Sequence, residues 1–156
     1  MANMEIRPFL PSDFDYYART LLLTLPCDDF EEARENAKII MERLKKDERE
    51  LWIAEVETIP VGFMLLEFET ENQNVEIDWF DIHPDYQNIG IGAALVQKAE
   101  QRTKDLGHRT VTFHTAASNH KMRKFAKKNG FAEVKCLPSF WGEETEDAYL
   151  YQKQLE

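Results

Sequence analysis

This sequence has few cysteines and no long hydrophobic run. Its two cysteines, Cys27 and Cys136, lie far apart and match none of the C-x-x-C spacings of metal or redox sites, so we expect two free thiols. No apolar stretch approaches the ~20 residues needed to span a bilayer, and the first residues, MANME, lack a basic region followed by an apolar core. These absences argue against a membrane partner, and we expect a cytoplasmic protein.

Basic residues are also in short supply. Lysine and arginine together number 19 against 29 aspartates and glutamates, which gives a formal net charge of −10. Such a balance disfavours binding to nucleic acid or to an anionic membrane surface and favours a cationic partner. One basic cluster stands out from this acidic background, and it comprises His120, Lys121, Arg123, Lys124, Lys127 and Lys128.

What the sequence does contain is typical of one globular domain. Its 156 residues are 43% hydrophobic and 31% charged, without an internal repeat or a low-complexity segment. A chain of this length buries about two thirds of the surface that it exposes when unfolded. We therefore expect a single domain over residues 1–156.

Hydrophobic periodicity predicts the first half of the fold. Ser12 is expected to cap a first helix that Pro26 ends, and Asp28 or Asp29 to cap a second. A strand over 4–9 precedes these helices. Strands over 51–56 and 61–70, joined through Thr58-Ile59-Pro60, should form a hairpin after them. The apolar stripes of the two helices are Phe14, Tyr17, Ala18, Leu21, Leu22 and Leu25, then Phe30, Ala33, Ala37, Ile40, Met41 and Leu44.

The second half predicts a parallel strand pair. A strand over 75–82, a long helix and a strand over 110–115 form a right-handed crossover, so the two strands should be parallel. A helix capped by Ser118 or Asn119 and closing strands over 132–137 and 147–154 complete the chain. The predicted fold class is α/β, a mixed and mostly antiparallel sheet of six to seven strands with helices on both faces.

The rest of the chain is organised around residues 75–95. A strand rich in β-branched and aromatic residues is stopped by His83-Pro84-Asp85, because proline donates no ladder hydrogen bond. The sequence Gln87-Asn88-Ile89-Gly90-Ile91-Gly92 then opens a helix. The first N–H groups of a helix have no partner inside it and bind phosphate, and glycines let a ligand approach the backbone. The alternative is that the two glycines only tighten a turn.

Two other phosphate motifs do not fit this stretch. A P-loop needs Gly-Lys-Ser/Thr, which is missing, and a dinucleotide fingerprint needs a third glycine where Leu95 stands. The wider pattern of a strand, His-Pro-Asp-Tyr, Gln-x-x-Gly-x-Gly and an amphipathic helix resembles the pyrophosphate-binding segment of the GNAT superfamily of acyl-CoA-dependent N-acetyltransferases.

Two further stretches extend the resemblance over most of the chain. Asn119, Met122, Phe125 and Asn129-Gly130-Phe131 are similar to that family's second cofactor segment, N-x-x-A-x-x-F-Y-x-x-x-G-F. The sequence Glu-Asp-Ala at 146–148 resembles the end of the protein N-terminal alanine acetyltransferases. One position departs from the family, because its tyrosine, often the general acid, falls on Ala126. Without it, Tyr86, Tyr149, Tyr151 or water would protonate the departing thiolate, or the thiolate leaves unprotonated.

The resemblance implies acetyl-CoA as co-substrate and no metal. In the family, main-chain amides of the glycine loop hold the diphosphate of coenzyme A, and an N–H of the preceding strand polarises the acetyl carbonyl. The basic cluster is then either a solvated helix face or a contact for the 3′-phosphate. The implied cofactor-binding residues are Ile82, His83, Gln87, Asn88, Ile89, Gly90, Ile91, Gly92, Ala93, Asn119 and Phe125.

Two residues are candidates for the general base, since acetyl transfer needs a neutral amine. Glu76 lies where the histone acetyltransferases of this superfamily carry their catalytic glutamate. His114 lies five residues before Asn119, where N-terminal acetyltransferases carry a catalytic glutamate or histidine, and an imidazole suits a base at neutral pH. The alternatives are an exposed edge-strand acid and a structural histidine inside the sheet. Asp78 and Asp81 either attract an ammonium group or are merely solvated.

The sequence thus predicts an N-acetyltransferase that moves an acetyl group from acetyl-CoA to a primary amine, by direct attack with general-base help. The acceptor is either a peptide or protein N-terminus or a small cationic amine. The alternative, motivated by Ala126, is a catalytically weak regulatory module that binds acyl-CoA. No metal-ligand spacing accompanies His83 and His114. We expect no metal, no nucleic-acid partner, and a monomer or homodimer.

Overall fold

The computed structural model of the protein describes residues 3–25, 27–45 and 48–156. These residues form one seven-stranded sheet, four α-helices and three short 3-10 turns. The strands are β1 (Met4–Pro8), β2 (Arg49–Val56), β3 (Ile59–Glu69), β4 (Asn74–Ile82), β5 (Thr110–Ala116), β6 (Ala132–Leu137) and β7 (Ala148–Gln154). The helices are α1 (Phe14–Thr24), α2 (Phe30–Leu44), α3 (Ile91–Asp105) and α4 (His120–Lys128).

The sheet is mixed, with its strands in the order β1-β2-β3-β4-β5-β7-β6. Every neighbouring pair is antiparallel except β4 and β5, which are parallel. The parallel pair exists because the long helix α3 returns the chain to the end of the sheet where β4 began. The predicted fold class is therefore confirmed, down to the parallel crossover.

The hairpin between β2 and β3 turns over two residues. Val56 pairs with Ile59, and between them Glu57 and Thr58 have φ values of 50° and 70°. Two left-handed central residues give a turn whose twist matches the flanking strands. The predicted connection through Thr58-Ile59-Pro60 was therefore wrong in extent, since β3 already begins at Ile59. Next to the proline, the register shifts between Ala54 and Glu55, which leaves Val61 as an extra residue of β3.

The sheet buries a separate core on each face, because successive side chains of a strand point to opposite sides. Helices α1 and α2 cover one face with the apolar stripes predicted for them, and α3 and α4 cover the other. None of the helices in the described residues is long and apolar enough to cross a membrane. Completely buried side chains include Tyr17, Leu21, Ile53, Phe63 and Leu65 on the first face and Met64, Leu66, Val75, Leu95 and Tyr151 on the second.

The helix starts follow the predicted capping residues with one exception. The side chains of Asp29 and Asn119 each accept a hydrogen bond from a backbone N–H in the first turn of α2 and α4. Ser12 does not cap α1, and that prediction was wrong, because Ser12 lies within a 3-10 turn over Pro11–Asp13 that runs directly into the helix. Pro26, the predicted end of the first helix, lies outside the described residues.

Asp13 holds this corner of the structure together. Its carboxylate accepts hydrogen bonds from the N–H of Leu10 and from two guanidinium nitrogens of Arg7, each at 2.8 Å. Arg7 also donates to Glu55 at 2.8 Å, so β1, β2 and the start of α1 are joined. Burial acts to raise the pKa of Asp13, but the hydrogen bonds from Arg7 and Leu10 outweigh it and hold the pKa below its usual range.

We predict that Asp13→Asn lowers the free energy of unfolding at pH 7 by about 2–3 kcal/mol, because the partly buried Arg7 loses one of its two carboxylate partners. The pKa of Asp13 is lower in the folded than in the unfolded chain, so its contribution is present above about pH 4 and is lost as the pH falls further. Urea unfolding at pH 7 and pH 3 should show the difference between variant and wild type shrinking in acid.

Asp15→Asn is the matched control for this prediction. Asp15 also pairs with an arginine, Arg34, but the two side chains are 57% and 41% exposed. Exposed ion pairs contribute about 0–1 kcal/mol. Equal losses in the two variants would contradict the role given to Asp13.

Candidate active site

The second half of β4 parts from β5. The two strands pair only between residues 74–76 of β4 and 110–112 of β5. Immediately afterwards the register of β4 with β3 shifts between Ile77 and Trp79, which leaves Asp78 as the extra residue of a bulge. In the described part of the chain, no strand pairs with the free edge of β4 beyond this point. A slot therefore opens between the strands, with main-chain donors and acceptors of β4 along one side.

The loop from β4 to α3 has an irregular backbone at the open end of this slot. The N–H of His83 still donates to Val61 O at 2.8 Å, and a 3-10 turn over Pro84–Tyr86 follows. Asn88 and Gly90 then adopt φ values of 63° and 95°, in the left-handed region. These conformations turn the chain sharply into α3.

The amino end of α3 presents main-chain donors. The first hydrogen bond of the helix runs from the N–H of Ala94 to Gly90 O at 3.1 Å. The N–H groups of Ile91, Gly92 and Ala93 precede it and have no partner within the helix. They lie at the positive end of a fifteen-residue helix, an arrangement that suits a phosphate group.

The two glycines of this loop meet different constraints. A Cβ at Gly90 would find no heavy atom within 4 Å, so the left-handed φ is what favours glycine there. A Cβ at Gly92 would lie 2.9 Å from Phe125 Cε2 and 3.4 Å from Ile82 Cδ1. Gly92 therefore lets α3 pack closely against α4, and the open space lies at Gly90.

Gln87 connects the loop to both neighbouring elements. Its amide nitrogen donates to Ile82 O at 3.1 Å, and its amide oxygen accepts from the ammonium group of Lys121 on α4. Ile89 is 58% exposed, whereas the side chain of Ile91 is buried, so only the main chain of Ile91 is available to a ligand. The structure thus brings together the predicted cofactor residues of the glycine loop and the end of β4.

The two candidate bases contact each other. Glu76 and His114 lie on neighbouring strands where β4 and β5 begin to part, and a carboxylate oxygen of Glu76 contacts His114 Nδ1. Their side chains are 16% and 24% exposed. A carboxylate at Nδ1 favours the tautomer with a proton on that nitrogen. Since no hydrogen bond to His114 Nε2 occurs among the described residues, Nε2 remains available as an acceptor.

An aromatic loop covers His114, and nothing in the sequence pattern pointed to it. Phe140 stacks on the imidazole with ring centres 4.7 Å apart and planes at 16°, and Trp141 meets Phe140 edge-on at 5.1 Å. Both aromatic side chains are exposed. Glu146 holds this loop by accepting from the N–H and hydroxyl of Ser118, and those bonds lower the pKa of Glu146.

The two aspartates of β4 are engaged within the protein. Asp78 pairs with Arg43 at 3.4 Å and with Arg49 at 3.6 Å. Asp81 is only 8% exposed and accepts hydrogen bonds from Thr24 and Trp79 under the end of α1. Burial raises the pKa of Asp81 to about 6, against the effect of both hydrogen bonds. Asp81 is therefore neither a solvated acid nor an open site for an ammonium group.

The side chains of α4 that face the protein pack against the sheet, and none of them is the tyrosine that the family carries at position 126. Asn119 uses its side chain to cap the helix, and Phe125 packs against Phe80 with ring centres 5.8 Å apart. Ala126, at the family's tyrosine position, is completely buried. The hydroxyl of Tyr151 donates to Glu133 at 2.8 Å, so this tyrosine is already engaged.

The remaining candidates for metal chemistry are dispersed. His83 Nδ1 accepts from the N–H of Asp85 at 3.1 Å, which occupies that nitrogen. Cys27 and Cys136 are free thiols, the first half-buried and the second exposed. Over residues 3–25, 27–45 and 48–156, no group of three or more His, Cys, Asp or Glu side chains is arranged to hold a metal ion.

Comparison with known proteins gives a family match. The model of the acetyltransferase (GNAT) family matches residues 16–131, which run from within α1 to just beyond the end of α4 and include β4, β5 and the glycine loop. An uncharacterized N-acetyltransferase of Methanocaldococcus jannaschii is 32% identical over 99 residues. That match covers 60% of this chain and 44% of the relative, so it spans less than half of the relative's length.

Solved structures share the fold at low sequence identity. A protein from Desulfovibrio desulfuricans, provisionally assigned as a GNAT-family acetyltransferase, aligns with a TM-score of 0.83 at 19% identity, over 99% of this chain and 100% of that one. A variant of the Vibrio cholerae spermidine N-acetyltransferase aligns with a TM-score of 0.78 at 16% identity, over 97% and 93% of the two chains. At these identities the likeness establishes the fold alone.

We predict that Asp81→Asn raises the free energy of unfolding at pH 8 by about 2–3 kcal/mol and leaves it unchanged at pH 4. The pKa of Asp81 is higher in the folded chain, so stability falls as the pH rises from about 4 through about 6. An asparagine avoids this loss, because it accepts from Trp79 and donates to Thr24, whose hydroxyl also reaches Thr20 O at 3.1 Å. Thermal unfolding at both pH values measures the effect.

Asp78→Asn is the control on the same strand. It removes a carboxylate that pairs with two arginines, so it should give no gain in stability at pH 8. A stability change for Asp81→Asn that does not vary with pH would contradict the buried, proton-binding role of Asp81.

Proposed function

Because this chain belongs to the GNAT family of acetyltransferases, whose model matches residues 16–131, we propose that it moves an acetyl group from acetyl-CoA to a primary amine. In this reaction the amine nitrogen gains the acetyl group and loses one proton, and coenzyme A is released as a free thiol. The observation that carries the proposal is the contact of Glu76 with His114 Nδ1 at the point where β4 and β5 part.

The slot and the glycine loop fit the co-substrate. Acetyl-CoA supplies an acetyl group activated as a thioester. The N–H groups of Ile91, Gly92 and Ala93 and the open space at Gly90 suit its diphosphate. The free edge of β4 near Ile82 offers main-chain groups to the extended pantetheine arm and to the acetyl carbonyl.

We assign the general base to His114 and a positioning role to Glu76. The carboxylate of Glu76 holds the Nδ1 proton, so the lone pair of Nε2 accepts the proton that the amine loses. Glu76 also stabilises the charged imidazolium that results. Phe140, stacked on the ring, restricts its rotation and shields one of its faces from water.

Release of the thiol does not require the family's tyrosine. Ala126 carries no hydroxyl, and Tyr151 is occupied by Glu133. A thiol has a pKa of about 8.5, so a thiolate is a tolerable leaving group near neutral pH. Protonation then comes from water or from the imidazolium of His114.

Two features bear on the acceptor. The exposed rings of Phe140 and Trp141 beside His114 suit an acceptor with an apolar or cationic group near its amine. The net charge of −10 favours a cationic molecule. We propose a peptide or protein N-terminus as the acceptor, on the resemblance of residues 146–148 and of His114, with small polyamines as the competing class.

Release of free thiol tests the proposed activity. Wild-type protein with acetyl-CoA is mixed with a peptide bearing a free N-terminus, the same peptide blocked by acetylation, or spermidine. We expect the free peptide to raise thiol release above the level with acetyl-CoA alone. The blocked peptide should give no increase over that level. Faster release with spermidine than with the peptide would reassign the acceptor to polyamines.

Ala126 favours a second candidate function, a regulatory module that binds acyl-CoA. Because this position lacks the family's tyrosine, residue 126 supplies no acid to the departing thiolate. Such a module would bind acetyl-CoA in calorimetry without thiol release for any amine. That combination would exclude the transferase and leave the binding module.

We predict that His114→Ala lowers kcat by about 10²–10⁴, the usual contribution of a positioned base. Glu76→Gln should cost only about tenfold, because the amide oxygen still accepts the Nδ1 proton, and Glu76→Ala should cost more. If Glu76 itself were the base, Glu76→Gln would be as damaging as His114→Ala. Rates measured with one acceptor at saturating acetyl-CoA show whether His114 or Glu76 is the base.

Glu67→Gln is the matched control for these variants. Glu67 lies opposite Glu76 on β3 but pairs with Arg49 at 3.1 Å instead of with His114. Its removal should leave kcat within about twofold, since it touches no proposed base. A large loss in this control would attribute the effects to general disturbance of the strand.

A further inference from the structure

The basic side chains of α4 differ in what they contact. Arg123 donates to Tyr151, to Ala117 O and to Glu133, and its guanidinium lies 4.3 Å from the ring centre of Tyr149. Arg123 therefore joins α4 to the sheet. Lys121, two residues earlier, contacts the glycine loop on the other side of the slot.

Lys121 and Gln87 bridge the open end of the slot. The ammonium group of Lys121 contacts the amide oxygen of Gln87, and the amide nitrogen of Gln87 donates to Ile82 O. Lys121 itself is exposed, and within the described residues its contact is with the amide of Gln87 and not with a carboxylate. Its charge therefore faces a neutral amide at the edge of the proposed diphosphate site.

The charge balance at this site is otherwise poor for an anion. The loop from Gln87 to Ala93 contains no lysine or arginine, and the chain as a whole carries a net charge of −10. The end of a helix contributes about half a positive charge, against roughly two negative charges on a diphosphate. A phosphate oxygen is a stronger partner for an ammonium group than a neutral amide oxygen.

We propose that Lys121 is the cation of the diphosphate subsite, and that its ammonium exchanges the amide oxygen of Gln87 for a phosphate oxygen of coenzyme A. This inference rests on the proposed function, because it assumes that coenzyme A binds along the slot. It assigns Lys121 to the diphosphate, and not to either of the two alternatives given for the basic cluster, a solvated helix face or a contact for the 3′-phosphate.

Calorimetric titration with two ligands tests the assignment. Coenzyme A and dephospho-coenzyme A share the diphosphate, but only the former has the 3′-phosphate. We expect Lys121→Ala to weaken the binding of both ligands by a similar factor of about ten, and Lys121→Arg to stay within about threefold of wild type. The loss should shrink at high salt, because added ions screen an exposed charge.

Lys128→Ala is the matched control, since Lys128 is an exposed lysine in the last turn of the same helix. It should leave both affinities within about twofold of wild type. An equal loss in this control would attribute the effect to the general field of the helix and overturn the proposal. Thermal unfolding without ligand, compared between Lys121→Ala and Lys121→Arg, separates loss of binding from loss of fold.

Two other results would overturn the assignment. Unchanged affinity in Lys121→Ala would remove Lys121 from the site, while thiol release by the wild type would leave the proposed function intact. A loss seen with coenzyme A but not with dephospho-coenzyme A would place Lys121 at the 3′-phosphate. If wild-type protein bound neither ligand, the proposed function would fail together with this inference.

Discussion

The short parallel pairing of β4 with β5 is the constraint on which the site depends. Three residue pairs hold the strands together, and a bulge in β4 then turns its remaining residues away. Longer pairing would fill the edge of β4 with ladder hydrogen bonds and leave no main-chain groups for a ligand. The glycine loop follows the end of β4, and α4 follows the end of β5. Because these strand ends are separated, the loop and α4 both lie at the mouth of the slot.

The position of the separation also determines which side chains meet. Glu76 is the last residue of β4 that pairs with β5, and His114 lies two residues beyond the last paired residue of β5. Their contact therefore spans the beginning of the gap. The loop before β7 then places Phe140 on the imidazole, and Glu146 fixes that loop to Ser118 at the start of α4. The contact with Glu76 and the stacking of Phe140 both restrict how the imidazole of His114 can turn.

Close packing between α3 and α4 explains the glycine at position 92. Gly92 brings the first turn of α3 against Phe125, and Gly62 similarly allows β3 to approach Ile91 and Leu95 beneath the same helix. Substituents at these positions would push α3 away from the sheet and displace its amino end. Gly90 differs, because open space surrounds it and only its backbone conformation favours glycine.

Several acidic side chains of this chain are used within the protein, either in the fold or in loops near the site. Asp13 and Asp78 pair with arginines and stabilise the fold. Asp81 is buried with a pKa of about 6, so its ionisation lowers the stability of the fold. Other acids, such as Glu146, hold loops near the site. Cationic side chains near the slot, such as Lys121, therefore matter for binding a polyanionic co-substrate to a protein with a net charge of −10.

The sequence by itself determined the elements, the parallel crossover and the glycine loop, because periodicity, capping residues and turn residues act over a few neighbouring positions. Asp29 and Asn119 cap the helices predicted for them, whereas Ser12 does not cap α1, because it lies within the 3-10 turn over Pro11–Asp13 that runs directly into the helix. The contact of Glu76 with His114 and the cover by Phe140 were decided only by the tertiary structure. These residues are far apart in the chain, and strand register and loop packing, which no local pattern encodes, bring them together.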